Sequence, residues 1–169
     1  MGRRNVVNGL VMLGIAGIGA FSAFCVECPA PLAQWNLDEG RGTVAGDSAG
    51  KHPAVITGAE WTPCGARQVL NFAPGNAFAS AGTGAALGLT GPVSIELWAY
   101  PFKRPEAETG LAGIAFDSVG MTAYADGNFY LYVGSGANKC CTPMNVAYWN
   151  HVAGTFDGET LKIYLNGEL

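Results

Sequence analysis

The sequence predicts an all-β fold, an antiparallel β-sandwich, and three observations carry that prediction. Past residue 31 the apolar residues recur with a period of two. Asp-Gly and Asn-Gly pairs punctuate the apolar runs, as tight hairpins require. No window past residue 31 holds a sustained i, i+3, i+4, i+7 apolar stripe. The 169 residues suit one domain plus extras, and 49% of them are hydrophobic, enough for a core. Twenty-five glycines and nine prolines fit many short strands and tight turns. A net charge of -4 with only nine Lys and Arg argues against a nucleic-acid-binding surface, which needs clustered positive charge. Two histidines, His52 and His151, leave little room for chemistry built on several imidazoles.

Residues 1–30 read as a targeting segment. Arg3 and Arg4 form a basic head, and no charged residue follows from Asn5 to Val26. A basic head before an apolar stretch is how a secretory signal is built. About 22 residues at ~1.5 Å each are also enough for a helix to cross a bilayer. The segment is therefore expected to be a hydrophobic helix, either a signal cleaved after Ser22 or an uncleaved membrane anchor. In both versions residues 31–169 lie outside the cytoplasm: secreted, periplasmic or at the cell surface. Membrane contact is expected only through the N-terminal segment. Cys25 and Cys28 form a C-x-x-C ahead of Pro29-Ala30-Pro31, which suits a linker better than the start of a redox helix. In an exported domain a disulfide from Cys64 to Cys140 or Cys141 is the expectation, with the partner left open.

The body follows in order. Asp47-Ser48-Ala49-Gly50 marks a turn before the short apolar run Ala54–Gly58. Ala79–Leu89 is small and apolar, but Gly82, Gly84 and Gly88 would each cost a helix about 1 kcal/mol. It reads as a loop or a weak edge strand. In Val93–Tyr100, Val93, Ile95, Leu97 and Ala99 take one face, and Ser94, Glu96, Trp98 and Tyr100 the other. Ala125-Asp126-Gly127-Asn128 is a turn. After it, Phe129, Leu131 and Val133 alternate with Tyr130 and Tyr132. Asp157-Gly158 precedes Leu161, Ile163 and Leu165, and Asn166-Gly167 closes that run. The sum is about ten short strands in two layers around one interior, to which Trp35, Leu97 and Val152 are all expected to contribute.

Several spaced pieces resemble the laminin-G-like, concanavalin A-like jelly-roll family. Leu32–Gly40 with Gly42 and Val44 is similar to its opening "W, apolar, acidic pair, G-x-G". Asp47–Gly50 with Ala54–Gly58 resembles its "D-x-S-G … G-x-L-x-G", and Trp61 with Val69–Phe72 its "W … G-x-A-L-x-F". Ser94–Pro101 resembles "F-T-I-E-x-W-V-x-P". Trp149–Gly158 leading into Leu161–Gly167 resembles "W-x-H-V-A-x-T-Y-D-G … L-x-L-Y-V-N-G". The resemblance covers residues 32–169 and implies a concanavalin A-like jelly roll. The family continues past "N-G" with further strands, so the domain is expected to lack its last strands. Unpaired sheet edges would then invite self-association. The family's fold is a scaffold for binding glycans, proteins or lipids, often beside secreted enzymes, and fold alone names no ligand.

Catalysis finds little support in the residues. A related retaining glycosidase would place carboxylates as E-x-D-x-x-E on one strand face, and no such triplet occurs. No catalytic residue is assigned, and the chain is not expected to be an enzyme. Binding has a better foothold. Glu96, Trp98 and Tyr100 share one strand face and Tyr130 and Tyr132 another. If those faces line a concave surface, they form an aromatic platform for a sugar; otherwise they pack under loops. Asp38, Glu39 and Asp47 cluster in the first two turns, and the resemblance makes calcium a candidate cofactor there, with Asp47 first among the ligands. Asp47 also fits a plain Asx-turn ahead of Gly50. The expected function is an exported binding or adhesion module for a glycan or an extracellular protein. The alternatives are an accessory domain of a larger secreted glycoside hydrolase, or a self-assembling structural surface protein.

Overall fold

The computed structural model describes residues 10–13 (backbone only), 30–72, 76–82, 91–113, 119–134 and 138–169. Among them are thirteen strands and no helix. In chain order these are β1 (Leu10–Leu13), β2 (Val44–Ala45), β3 (Ala54–Thr57), β4 (Glu60–Cys64), β5 (Arg67–Asn71), β6 (Phe78–Ser80) and β7 (Val93–Pro101). Then follow β8 (Thr109–Gly113), β9 (Val119–Ala123), β10 (Asn128–Val133), β11 (Asn138–Pro143), β12 (Asn150–Phe156) and β13 (Leu161–Leu165). A six-stranded sheet runs β13-β12-β7-β1-β5-β4, a four-stranded sheet β11-β10-β9-β8, and a three-stranded sheet β2-β3-β6. Every strand pairing is antiparallel.

Alternation explains which face goes where. On β7, Leu97 and Ala99 are buried while Ser94 and Glu96 are exposed. Leu97 pairs with Val152 of β12, also fully buried. The four-stranded sheet sends Met121, Phe129 and Leu131 to meet them. The two layers come so close at Gly154 that a Cβ there would lie 2.7 Å from Met121 Cε and 2.8 Å from Leu131 Cδ1. The turns obey their sequence signals. Asn166 and Gly167 adopt φ of 52° and 87°, so Leu165 and Glu168 bond to each other across a two-residue loop. Asp157 Oδ1 accepts from the N–H groups of Glu159 and Thr160, closing the β12–β13 turn.

Three expectations bear on this architecture. The first concerns the interior. Most of the described buried side chains gather in two clusters on either side of β1, whose own side chains lie outside the described residues. Leu97 and Val152 belong to the larger, with Phe129, Leu131 and Met121. Trp35 packs instead against a smaller cluster of Ala45, Ala54, Ile56, Leu70 and Phe72. That second cluster lies between the three-stranded sheet and β5. The two share the six-stranded sheet but sit on either side of β1.

The second concerns the N-terminal segment. Within the segment expected to be a helix, only Leu10–Leu13 is described, and it pairs with β7 on one side and β5 on the other. Four apolar residues suit a central strand as well as a helix, and ladders on both sides satisfy the backbone. The rest of the expected helix falls outside the described residues, as do Cys25 and Cys28. Among the described residues no helix is long and apolar enough to cross a membrane.

The third concerns the disulfide. Among the described residues no disulfide joins Cys64, Cys140 or Cys141. Cys64 sits on β4, at one edge of the six-stranded sheet, and β11, which carries the other two, packs beside β13 at the opposite edge. Five strand spacings, about 24 Å, separate those edges. A disulfide needs Cα atoms within about 7 Å. As for the stretch from Ala79, Ser80 ends the edge strand β6, and residues 83–90 lie outside the described set.

Candidate functional site

The sequence-predicted aromatic residues fall on opposite outer faces of the sandwich. Glu96, Trp98 and Tyr100 point outward from β7, since Leu97 and Ala99 point into the core. Tyr130 and Tyr132 point outward from β10, since Phe129 and Leu131 point inward. They do not form one platform.

The β7 set is largely occupied with its neighbours. Trp98 and His151 are register partners, and their rings meet at a 42° tilt with centroids 5.1 Å apart. Glu96 Oε2 lies 3.4 Å from His151 Nε2. Tyr100 meets Phe102 at 5.2 Å and Trp149 at 5.6 Å, both edge-on.

The β10 face gathers more chemistry. The β9–β10 register pairs Tyr130 with Thr122 and Tyr132 with Gly120. Even-numbered residues of both strands therefore face outward, and the same parity brings Tyr124 to that face. Tyr124 and Tyr130 meet edge-to-face at 4.8 Å. Lys139, registered opposite Tyr132 on β11, holds its Nζ 4.9 Å from the Tyr130 ring and 5.4 Å from the Tyr124 ring. Each contact is a cation–π pair. Tyr132 leans over β9, where a Cβ on Gly120 would meet its Cζ at 2.7 Å. That cover, with the core beneath, buries all five residues of β9.

Carboxylates rim the tyrosine pair. Tyr130 donates its hydroxyl to Asp126 Oδ2 at 2.6 Å. That bond holds the Asp126 carboxyl below the ordinary carboxylate range and raises the Tyr130 phenol. Tyr124 is hydrogen-bonded to Glu108. Burial first, then that bond and the Glu108 charge, push its phenol up to about 12. Arg104 lies against Gly127, beside Asp126. The face thus offers two rings, acceptors at Asp126 and Glu108, and donors at Lys139 and Arg104.

Of the candidate calcium ligands, Asp47 and Glu39 accept backbone hydrogen bonds. Asp47 Oδ1 accepts from the N–H of Gln34 and Ala49, and Oδ2 from those of Lys51 and His52. Burial would raise its carboxyl, but these four donors outweigh that and hold it at about 2, against 3.8 ordinarily. Glu39 Oε1 accepts from Gly46 N at 2.6 Å, and Asp38 is exposed. Among the described residues no group of three or more His, Cys, Asp or Glu is placed to hold a metal ion.

Sequence reasoning missed Tyr124, Asp126, Glu108 and Lys139 as members of one face. One signal was available: carrying the period of two across the turn at 125–128 puts Tyr124 on the side of Tyr130 and Tyr132. Glu108 and Lys139 had no such signal, because they reach the face from loops and strands that do not alternate.

Antiparallel layers closed around an apolar core, with an aromatic and charged outer face, define a β-sandwich. The chain belongs to the concanavalin A-like lectin/glucanases superfamily, whose laminin-G-type family model matches residues 74–169, more than half of its length. No curated protein and no solved structure matches it.

Proposed function

We propose that this domain is an exported, non-catalytic module that binds carbohydrate on the outer face of its four-stranded sheet. The observation that carries the reading is the Tyr124–Tyr130 pair ringed by Asp126, Glu108 and Lys139. A sugar lays its C–H face on an aromatic ring and gives its hydroxyls to nearby charged groups. This face supplies both within one hairpin and its flanks. Family membership supports the same class of ligand.

Glycan-array screening followed by calorimetry tests the reading. Tyr130→Ala and Lys139→Ala should each weaken binding about ten-fold, near 1.4 kcal/mol, while Trp98→Ala leaves it unchanged. Loss with Trp98→Ala alone would move the site to the opposite face. Absence of any glycan bound by the folded protein would end the carbohydrate reading.

A further inference from the structure

The tyrosine face is open on one side. Across the four-stranded sheet the registers line up Cys141 of β11, Tyr130 of β10, Thr122 of β9 and Gly110 of β8 in a single row. Thr109 and Leu111, on either side of Gly110, are buried, so Gly110 belongs to the outer face, where it is exposed. It stands on the outermost strand of that sheet. Two strand spacings, about 9.5 Å, separate it from Tyr130, a span that suits two linked sugar rings. Thr122 between them is buried and raises no obstacle.

The fold does not account for the missing side chain. Gly110 is not in the left-handed region, and a Cβ built on it meets no described atom within 4 Å. Gly113 and Gly120 differ. A Cβ on either would meet backbone of the facing strand, at 3.2 and 3.1 Å, and Tyr132 lies over Gly120. A bare residue in an edge strand weakens the strand and often marks a place where another molecule comes close. The neighbours bound the opening. Glu108, two residues before Gly110, is hydrogen-bonded to Tyr124. On the other side of the row the Tyr132 hydroxyl would lie 3.7 Å from a Cβ on Gly113. Towards β11, Lys139 holds its ammonium over both rings. A ligand seated on the rings therefore meets a side chain in that direction and none over Gly110. The charges of Lys139 and Arg104 balance those of Asp126 and Glu108, which favours an uncharged ligand.

We propose that Gly110 holds open a second sugar position, so that the face takes a chain of linked, uncharged sugars running from the Tyr124–Tyr130 pair out across β8. The inference rests on the carbohydrate reading above and adds the length of the ligand to it. Calorimetry on the full chain tests it with glucose, mannose and xylose, each as the single sugar and as its β-1,4-linked tetrasaccharide. At least one tetrasaccharide should bind about ten-fold tighter than its single unit. Gly110→Phe puts a ring into the open position and suits a strand. It should weaken that tetrasaccharide about ten-fold and the single sugar by less than about two-fold. Gly110→Ala, which adds one methyl, should cost the tetrasaccharide about two-fold. Tyr130→Ala should weaken both forms alike. An unchanged urea midpoint shows that the Gly110 variants are folded. Equal affinity for single unit and tetrasaccharide overturns the second position and leaves the carbohydrate reading standing. So does a tetrasaccharide preference that survives Gly110→Phe. A folded chain that binds none of these sugars overturns the proposal too, and the glycan array then decides the carbohydrate reading separately.

Discussion

The two halves of the molecule are built to different specifications. The half made of β7–β13 buries Phe129, Leu131, Met121, Val152 and Leu97 between a three-strand block and a four-stranded sheet. The half made of β2–β6 buries two alanines with Ile56, Leu70 and Phe72, and completes the layer with partly buried Trp35 and Trp61. The smaller half leans on hydrogen bonds from those indoles: Trp35 Nε1 donates to His52 O at 2.6 Å, and Trp61 Nε1 to Gly42 O at 2.9 Å. One half is held mainly by apolar volume, the other by polar pinning of loops. The larger half also carries the tyrosine face.

The largest test of this division removes apolar volume from one half at a time. Phe129→Ala should cost about 3–5 kcal/mol, and Leu70→Ala about 2–5 kcal/mol. The four tryptophans report separately, with Trp35 and Trp61 in one half and Trp98 and Trp149 in the other. Fluorotryptophan NMR during urea unfolding should show Phe129→Ala releasing Trp98 and Trp149 first. If all four signals move together in both variants, the halves fold as one unit and the division has no energetic content.

Next in size is Asn150, a buried polar side chain inside the apolar half. Its Nδ2 donates to the carbonyls of Asn145 and Tyr148 at 2.9 and 2.8 Å, and its Oδ1 accepts from Asn145 N at 3.0 Å. Asn150→Ala leaves those loop groups unpaired and should cost about 2–3 kcal/mol in chemical denaturation. A cost below 1 kcal/mol would mean that water replaces it and the loop is not pinned.

The halves also differ in how much of them the sequence disclosed. β7, β10, β12 and β13 alternate because one face is buried and the other wet, and the turns beside β10, β12 and β13 carry Asp-Gly or Asn-Gly. β9 gave no pattern, since Val119–Ala123 is covered on both sides, by the core and by the tyrosines. β11 reads as polar and ends in Pro143, as an edge strand does. A single interior was expected because period-two patterns tell which face is buried, not against what. The placement of β1 depends on partners 58 and more residues away, which local sequence does not encode. The tyrosine face was half legible: Tyr130 and Tyr132 came from alternation, while Asp126 read only as a turn residue.

A pH experiment sharpens the comparison in the polar half. The Asp47 carboxyl titrates at about 2 in the fold and near 3.8 in an ordinary setting. A lowered value means that the folded chain binds the proton less readily than the unfolded one. The stabilisation is therefore complete above about pH 4 and fades as pH falls towards 2. After solvent screening it is on the order of 1–2 kcal/mol. Asp47→Asn should lose that amount at pH 7 and flatten the acid limb in this range. An unchanged limb would show that the four amide bonds do not persist in solution.

The smallest expected effect has the opposite sign and belongs to the apolar half. Thr122 is buried on β9, and its Oγ1 is without a hydrogen-bond partner among the described residues. Thr122→Val replaces that hydroxyl by a methyl of similar shape and keeps the β-branch. Removing a buried, unsatisfied polar atom should stabilise the protein by about 1 kcal/mol, a few degrees in Tm. The same change should leave glycan binding intact, because the atom lies beneath the tyrosine face rather than on it. A loss of stability would mean that the hydroxyl finds a partner in solution, and the four-stranded sheet would then be polar-pinned too, erasing the contrast with its neighbour.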